Sequence, residues 1–409
     1  MNIPKKGLYY DKLVWFLILI VFVLFRFTLV IGHEVAYFGF LGMLLFALYI
    51  IHNRCRIVFR WTFYYMYMIA FTVFAYLSSL WALQPRYTVG RGNTLLIITF
   101  VMFVIMLNVY KGENVRNLLK IAMIGGYIVC LIAILFYGYR NILLAIASSV
   151  RLTNGLININ DFGMCAAYSL LINMYFIVAT KKIGFYTIFS IPAIAILLAS
   201  ESKKAILIIG IGFFLFYILR SQRKGNILKK LLKGIGTIIL FALITFFLMQ
   251  LPALSGIKER FVLMINGFLK GVNSDSSTLA RLDLVKIGLQ IFSEHKLLGI
   301  GINNAQFVVE KIYHRENYYL HNNFIELLAD GGIVGFTLYY SIFLYFIIQF
   351  WKNRDFSNDE FNICFVLIIV NLVLDYGAVS FLDRGTYFYF LIYYLQVMQM
   401  KRNRLYIYL

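Results

Sequence analysis

The run LVWFLILIVFVLFRFTLVIG (residues 13–32) contains a single charged side chain, Arg26. A run of this length matches the hydrocarbon thickness of a bilayer when it forms an α-helix. Similar runs recur along the chain, which is 62% hydrophobic and has a mean hydropathy of +0.81. They lack the strict alternation of apolar and polar residues that a transmembrane β-strand shows. The sequence therefore predicts an all-α, polytopic membrane protein.

Twelve spans of this kind are predicted, and the loops between them differ in charge. The spans lie at about 12–32, 35–52, 61–80, 94–110, 118–138, 162–179, 184–200, 204–220, 232–250, 331–350, 360–379 and 385–400. Most lysines and arginines fall in one alternate set of loops and near the two ends of the chain. Because positively charged short loops mark the cytoplasmic side, both termini are expected in the cytoplasm. No small-residue cleavage site follows the first span, so it is expected to remain as a helix.

The longest loop, residues 251–330, divides the chain. It separates nine predicted spans in residues 1–250 from three in residues 331–409, and the charge of the short loops places it outside the cytoplasm. A loop of this length is too long to be a simple connection between two helices. It is therefore expected to carry structure of its own on the outer face.

Part of this loop has the pattern of an amphipathic helix. Residues 281–298 (RLDLVKIGLQIFSEHKLL) carry apolar side chains at helical spacing, namely Leu282, Val285, Leu289 and Phe292. The spacing predicts a helix that lies on the membrane or on the helix bundle. A glycine-rich turn, GIGINNAQF (299–307), follows it.

Charge, cysteine content and motifs exclude several function classes. The net charge of +20 comes without a basic stripe on a soluble module, so nucleic acid is not an expected partner. The four cysteines form no CxxC pair and no disulfide framework. The sequence has no P-loop, HExxH or DxD motif. No metal and no cofactor is expected, and a metal-dependent nucleotide-sugar transferase is not favoured.

A polar segment precedes the tenth span: LHNNFIELLADGGIVG, residues 320–335. Its leucines and phenylalanine repeat at helical spacing, which predicts a short helix that begins near His321. Asn322 or Asn323 is expected to cap this helix, and the glycines at 331–332 to end it. His321 would lie at the outer membrane boundary. It is either a general base or an interfacial histidine bonded to a backbone carbonyl.

Several cations lie on the predicted outer side, where the orientation signal does not favour them. Lys203 and Lys204 stand in SESKKAIL between two spans, where they either reach lipid headgroups or bind a diphosphate. Arg281 opens the predicted amphipathic helix, as a surface cation in an ion pair or as part of the same cationic site. The other outward cations near span ends are Arg86, Arg91 and Arg151.

Together these motifs resemble the O-antigen ligase/polymerase superfamily of bacterial membrane glycosyltransferases. The matching segments are SSLWALQP (78–85), RLTNGLININDFG (151–163), ASESKKAIL (199–207), RLDLVKIGLQIFSEHKLLGIGINNAQF (281–307) and HNNFIELLADGGIVG (321–335). The last two segments are the most specific, and the pattern of spans matches along the whole chain. The resemblance implies an all-helical, GT-C-like membrane fold.

The resemblance also implies roles for individual residues. His321 begins the family's H-N-x-x-x-E motif and is the implied base for the acceptor hydroxyl. The implied cations for a donor diphosphate are Lys203 or Lys204, together with Arg281 and Arg151. Arginine is usual at the first of these positions, and lysine keeps the charge but loses the bidentate fork. The expected substrate-binding residues are Asn322, Glu326, Tyr319 and Arg86. The tyrosines of the long loop are sugar partners or a plain interfacial belt.

Three functions remain open on the sequence. The first is a Wzy-type polymerase, which joins repeat units linked to undecaprenyl diphosphate on the outer face of the inner membrane, to make O-antigen or capsule. The second is an O-antigen ligase, which moves finished glycan onto lipid A-core. The third is a flippase, which polar groups concentrated at one face do not favour. The expected partners are the lipid-linked donor and acceptor, membrane lipid and a chain-length regulator.

Overall fold

In the computed structural model the described residues are 5–26, 34–57, 61–110, 114–148, 159–221, 276–315 and 318–407, with the single positions 236, 250 and 262. These residues are mainly α-helical and include no strand. The predicted all-α class is therefore confirmed. The predicted ninth span, most of residues 251–275 and the predicted diphosphate ligand Arg151 lie outside the described residues.

Helices lie at most of the predicted spans in the described residues, several of them with different bounds, and the number of twelve spans stays a prediction. They are α1 (Lys5–Phe25), α2 (Glu34–His52), α3 (Phe63–Leu77), α4 (Pro85–Val109), α5 (Val115–Tyr137), α6 (Tyr139–Ser148), α7 (Ile159–Thr180), α8 (Ile191–Ser200), α9 (Lys203–Ser221), α10 (Ser276–Glu294), α11 (Asn304–Tyr313), α12 (Asn323–Lys352), α13 (Asp359–Leu374) and α14 (Arg384–Ile407). Short 3₁₀ helices at Ser78–Leu80 and Phe185–Ser190 extend α3 and precede α8. The helix α6 falls between predicted spans.

Six helices in the described part of the chain have the length and apolar composition needed to cross a bilayer. They are α3 with its 3₁₀ extension, α4, α5, α7, α9 and α12. Two shorter apolar helical stretches lie at Ala36–His52 and Phe185–Ser200. The fold is that of an all-helical membrane protein.

Tyrosine hydroxyls bond the buried helices to one another. The hydroxyl of Tyr64 on α3 donates to the carbonyl of Tyr387 on α14 at 3.0 Å. The hydroxyl of Tyr67, also on α3, donates to the carbonyl of Tyr339 on α12 at 3.2 Å. All four side chains are buried. Each ring fills apolar space while its hydroxyl finds a backbone acceptor, which fixes α3 against the last part of the chain.

The helix α12 is broken at Gly332, where the backbone has φ 59° and ψ −163°. The break removes the bonds that the carbonyls of residues 329 and 330 would receive from the next turn. The amides of Ile300 and Gly301 donate to those carbonyls instead, at 3.0 and 2.9 Å. In return, Ile333 and Val334 donate their amides to the carbonyls of residues 296 and 297, at 2.8 and 3.2 Å. The segment 296–301 thus satisfies the backbone groups that the kink exposes.

These backbone hydrogen bonds between the segment 296–301 and the kink in α12 require a glycine in each of the two segments. A Cβ on Gly332 would lie 2.4 Å from the carbonyl carbon and oxygen of Leu297, and a Cβ on Gly299 would lie 2.4 Å from those of Asp330. Both glycines have a positive φ, a region that other residues rarely adopt. The sequence prediction of a short helix that ends at residues 331–332 before the next span is confirmed.

The segment 298–304 is also fixed to the connection between α3 and α4, which carries the SSLWALQP motif. The indole of Trp81 donates to the carbonyl of Leu298 at 3.1 Å. The hydroxyl of Ser78 accepts from the amide of Ile302 at 3.1 Å. This motif therefore serves as an anchor for the glycine-rich turn.

The predicted amphipathic helix is present as α10, which packs on α12. Leu284 is its fully buried side chain, whereas Leu282 and Leu289 are 50% and 45% exposed. The methyl groups of Ile325 and Leu320 approach Gly288 of α10, which leaves no room for a side chain there. The helix is therefore apolar on two sides. One side packs against the bundle, whereas the predicted face is exposed at Leu282 and Leu289 and half-buried at Val285 and Phe292.

Candidate functional site

A polar cavity of about 250 Å³ lies between α1, α7, α9, α10 and the segments around α13 and α14. Four residues predicted for the site line it: Lys204, Arg281, Tyr319 and His321. They come from three separate parts of the chain, so only the fold brings them together. The other charged side chains on its wall are Arg26, Asp161, Asp375 and Asp383.

The two cations reach the cavity from two different helices. Lys204 is the second residue of α9, and Arg281 lies in the second turn of α10. Their positive charges act on each other and on His321. Two cations held at one cavity repel each other, and this repulsion is relieved when an anion binds between them.

His321 lies two residues before α12, next to its cap Asn322, in a left-handed backbone conformation with φ 56°. Its ring is 4.0 Å from the ring of Tyr319, centroid to centroid. Burial lowers the pKa of His321 to about 4, and the positive charges of Lys204, Arg281 and Arg315 add to this effect. The imidazole is therefore neutral near pH 7 and able to accept a proton. A strained backbone at a cavity is typical of a functional position.

Tyr319 lies where two cavities meet. Burial raises the pKa of Tyr319, with smaller contributions from Asp161 and Glu326, so the side chain remains a neutral phenol. The second cavity has about 240 Å³ and is lined by Tyr319, Glu326, Asp383, Arg91 and Arg384, among others. The two cavities share Phe25, Tyr319, Val379 and Asp383.

The remaining predicted residues lie around these cavities in different ways. The side chain of Glu326 is buried and accepts the amide of Leu320 at 2.8 Å, within the second cavity. Asn322 caps α12, since its side-chain oxygen accepts the amides of residues 324 and 325 at 3.0 and 3.2 Å. Lys203 is half-buried and Arg86 is exposed. Neither of these two cations lines either of the cavities described above.

The structure adds Arg26 and Asp383 to the site. Their side chains form an ion pair at 3.5 Å, across 357 residues of sequence. Asp383 also accepts the amide and the hydroxyl of Thr386, both at 3.0 Å. A Cβ on Gly385 would lie 2.4 Å from the guanidinium of Arg26, so glycine leaves the space that this group fills. The signal in the sequence was the single charge within the first apolar run.

Asn323 holds the end of α13 and the following loop against the start of α12. Its backbone amide donates to the carbonyl of Asp375 at 2.8 Å. Its side-chain oxygen accepts the amides of Ser380 and Phe381 at 2.8 and 3.0 Å, and its amide nitrogen donates to the hydroxyl of Tyr340 at 2.8 Å. Asn323 is fully buried. The residue two positions after His321 thus fixes one wall of the cavity.

The arrangement has the groups that metal-independent glycosyl transfer from a diphosphate requires. Cations stabilise the charge that develops on the leaving diphosphate. A neutral imidazole accepts the proton of an attacking hydroxyl. Both lie on one cavity that extends from buried helix walls towards α10.

Residues 188–340 match the family model described as O-antigen ligase. No curated protein matches the chain. The matched residues run from the 3₁₀ helix before α8 into α12 and include Lys204, Arg281 and His321. Residues 188–340 are therefore similar to this family, and the resemblance to the O-antigen ligase/polymerase superfamily is confirmed over this part. The protein is a membrane protein in which residues 188–340 resemble this glycosyltransferase-like family.

Proposed function

We propose that the protein polymerises oligosaccharide repeat units linked to undecaprenyl diphosphate, on the outer face of the bacterial inner membrane. The observation that carries this proposal is the placement of Lys204, Arg281 and His321 on one cavity, inside the domain that matches the family. The product would be a surface polysaccharide such as O-antigen or capsule.

The donor diphosphate binds between Lys204 and Arg281 in this proposal. Breaking the bond between the anomeric carbon and the diphosphate leaves negative charge on the departing oxygen. Charge-assisted hydrogen bonds from lysine and arginine stabilise that charge most strongly in the transition state. Arg26 stands on the same cavity, already paired with Asp383, and adds positive charge near the leaving group.

His321 activates the acceptor in this proposal. A hydroxyl oxygen of the acceptor sugar attacks the anomeric carbon and forms the new glycosidic bond. Its proton passes to the imidazole, and undecaprenyl diphosphate leaves. The neighbouring cations make the free imidazole a weak base. A bound diphosphate offsets their charge, so the basicity of His321 rises when the donor is in place.

The membrane arrangement belongs to the same proposal. We infer twelve spans in a GT-C-like fold, with residues 1–250 carrying nine spans, residues 251–330 forming the external loop and residues 331–409 carrying three. Both termini lie in the cytoplasm, and the cavity opens on the periplasmic side. The support is the alternation of positive charge among the short loops. The other partners are membrane lipid and a chain-length regulator.

An O-antigen ligase is the second candidate, since the matched family model is described as O-antigen ligase and does not distinguish the two functions. It would use the same donor, cations and histidine. It would differ in the acceptor, which is lipid A-core instead of a second lipid-linked repeat unit. The two functions differ in the product that is missing when the protein is removed.

Deletion in the native host separates the candidates. Surface glycans and lipid-linked glycans are extracted and resolved on a gel. Collapse of the ladder to a single repeat unit supports the polymerase. If long glycan instead stays on undecaprenyl diphosphate and none reaches lipid A-core, the protein is a ligase and the polymerase proposal is wrong. Repeat units that accumulate on the cytoplasmic side contradict both transferases and favour a flippase.

A further inference from the structure

Asp375 is a buried carboxylate on the wall of the same cavity, and the proposed reaction does not yet use it. It follows α13 directly and is 1% exposed. Its Oδ2 accepts the hydroxyl of Tyr340 at 2.9 Å and the side-chain amide of Asn323 at 3.3 Å. Its Oδ1 is buried and has no hydrogen-bond partner among the described residues. A buried carboxylate oxygen without a donor is costly to maintain.

The surroundings of Asp375 differ from those of the other two acids on the cavity. Asp383 pairs with Arg26 at 3.5 Å, and the positive charge of Lys204 acts on Asp161. The groups that act on the Asp375 carboxylate are all neutral: the Tyr340 phenol and the Asn323 side-chain amide, which bond Oδ2, and the nearby hydroxyl of Ser380. Charged side chains buried in membrane proteins without such compensation are usually functional. Asp375 therefore holds an unused acceptor in a cavity built for a polar ligand.

The cavity has an uneven charge distribution as a result. Lys204 and Arg281 offer positive charge to a diphosphate, whereas the carboxylate of Asp375 repels one. A carboxylate instead binds sugar hydroxyls, which donate hydrogen bonds to it and carry no charge. The part of a substrate that suits Asp375 is therefore the saccharide.

Asp375 is fixed relative to His321. Asn323, two residues after the histidine, donates its backbone amide to the Asp375 carbonyl at 2.8 Å and its side-chain amide to Oδ2. Both groups are thus positioned by one buried residue. A pair held in this way can orient one hydroxyl for reaction while a neighbouring hydroxyl is bound.

We propose that Asp375 binds a hydroxyl of the acceptor saccharide and so presents the attacking hydroxyl to His321. This inference rests on the proposed function, and it assigns the acceptor side of the cavity. Asp375 is a substrate-binding residue in it, and His321 remains the proton acceptor.

The substitution Asp375→Asn tests the role of Oδ1, the carboxylate oxygen that bonds no described residue. The oxygen of asparagine keeps the bonds to Tyr340 and Asn323, while an NH₂ donor replaces Oδ1. Purified full-length protein in liposomes is given a lipid-linked donor and a soluble repeat-unit oligosaccharide as acceptor. The KM for the soluble acceptor should rise ~10-fold or more, as expected for losing a hydrogen bond to a charged group. Affinity for undecaprenyl diphosphate, measured by direct binding, should stay unchanged.

Tyr340→Phe is the matched variant for a purely structural role, because it removes one bond to Oδ2 and leaves Oδ1 untouched. Its KM should stay within ~3-fold of the wild type, the effect of one ordinary hydrogen bond. Asp355→Asn, on the exposed loop between α12 and α13, should behave as the wild type. If Asp375→Asn does not fold, Asp375→Glu carries the test, with a raised acceptor KM and unchanged binding of undecaprenyl diphosphate.

Two results overturn the inference alone: an unchanged acceptor KM in the Asp375 variant, or an equal rise in Tyr340→Phe. In both of these cases the wild type still transfers glycan. Absence of any transfer by the wild-type protein would instead overturn the proposed function, and the inference with it.

Discussion

The glycine-rich turn 299–304 and the segment 321–323 both contact the kinked helix α12, and they use their polar groups differently. In the turn, the amides of Gly301 and Asn303 donate to the carbonyl and the carboxylate of Asp330. The side chain of Asn304 bonds to the start of α4. In the segment 321–323 the two asparagines are also bonded within the protein, whereas His321 lines the cavity. The two segments are similarly polar in sequence but have different roles. The turn supports the break in α12, whereas the segment 321–323 places the imidazole of His321 on the cavity.

The largest expected effect on turnover comes from the imidazole. His321→Ala should lower the rate of transfer at least ~100-fold, as expected for losing a general base. The melting temperature and the yield of folded protein should stay unchanged. The measurement is transfer by purified protein in liposomes. His295→Ala, at the exposed end of α10, is the control. Wild-type turnover in His321→Ala would place the imidazole outside the chemistry.

Gly332→Ala should lower stability and leave turnover unchanged, which is the reverse of the expectation for His321→Ala. The backbone region at Gly332 is nearly restricted to glycine, and the new Cβ would meet the Leu297 carbonyl. A loss of about 1–3 kcal/mol of stability is expected from the conformation alone. Folded yield and melting temperature should fall, while turnover per folded molecule stays near that of the wild type. Gly39→Ala, where a Cβ meets nothing within 4 Å, should be neutral. Full stability in Gly332→Ala would contradict the role assigned to the kink.

Substitution of the two lysines of SESKKAIL should have different effects on the KM for the lipid-linked donor. Lys204 lines the cavity and Lys203 does not, so Lys204→Gln should raise the KM for the lipid-linked donor ~10-fold, the loss of one charge-assisted hydrogen bond. Lys203→Gln should change it by less than ~3-fold. Lys204→Arg should retain most of the activity, since the charge is kept. Equal effects of the two glutamine variants would indicate a general attraction to headgroups instead of a diphosphate site.

The pH dependence of kcat/KM reports on the free His321. Its pKa is lowered to about 4, so the imidazole stays neutral as pH falls through 6, and activity should be lost only near pH 4. Lys204→Gln removes one of the charges that lower this pKa. The acid limb of its profile should therefore move to higher pH. An acid limb near pH 6.5 in the wild type would show that the cations do not act on the imidazole.

Asn322 should give the smallest effect. Its side chain caps α12, and serine can do the same, so Asn322→Ser should keep both stability and turnover. Asn322→Ala should lower stability by about 1 kcal/mol. The measurement is thermal unfolding together with transfer rate. Loss of transfer in a stable Asn322→Ser protein would instead support the substrate contact expected from the sequence.

Helix positions could be predicted because long apolar runs have few alternatives in a membrane. The start and end of the short helix before the tenth span followed from Asn322 and the two glycines. The helix α6 was missed because its ten residues are too few for a span and carry a polar start. The face of α10 that packs on the bundle could not be chosen, since both of its sides are apolar.

Site residues could be predicted where the side chain itself suggests a role, as a histidine suggests a base and a lysine or arginine suggests an anion site. His321, Lys204 and Arg281 were expected together, and the cavity joins them. Arg26 was not assigned a role because a charge within an apolar run does not indicate which distant carboxylate it meets. Its partner Asp383 lies 357 residues away. Such long-range pairs depend on the packing of helices that no local pattern specifies.

The bond between Arg26 and Asp383 has a consequence for the newly made chain. The cavity wall needs Arg26, directly after α1, and Asp383, directly before α14, which are synthesised 357 residues apart. A nascent chain that already contains the histidine still lacks this wall. The cavity is therefore complete only after Asp383 has been synthesised, and under the proposed function no earlier folding intermediate holds the whole site for a lipid-linked donor.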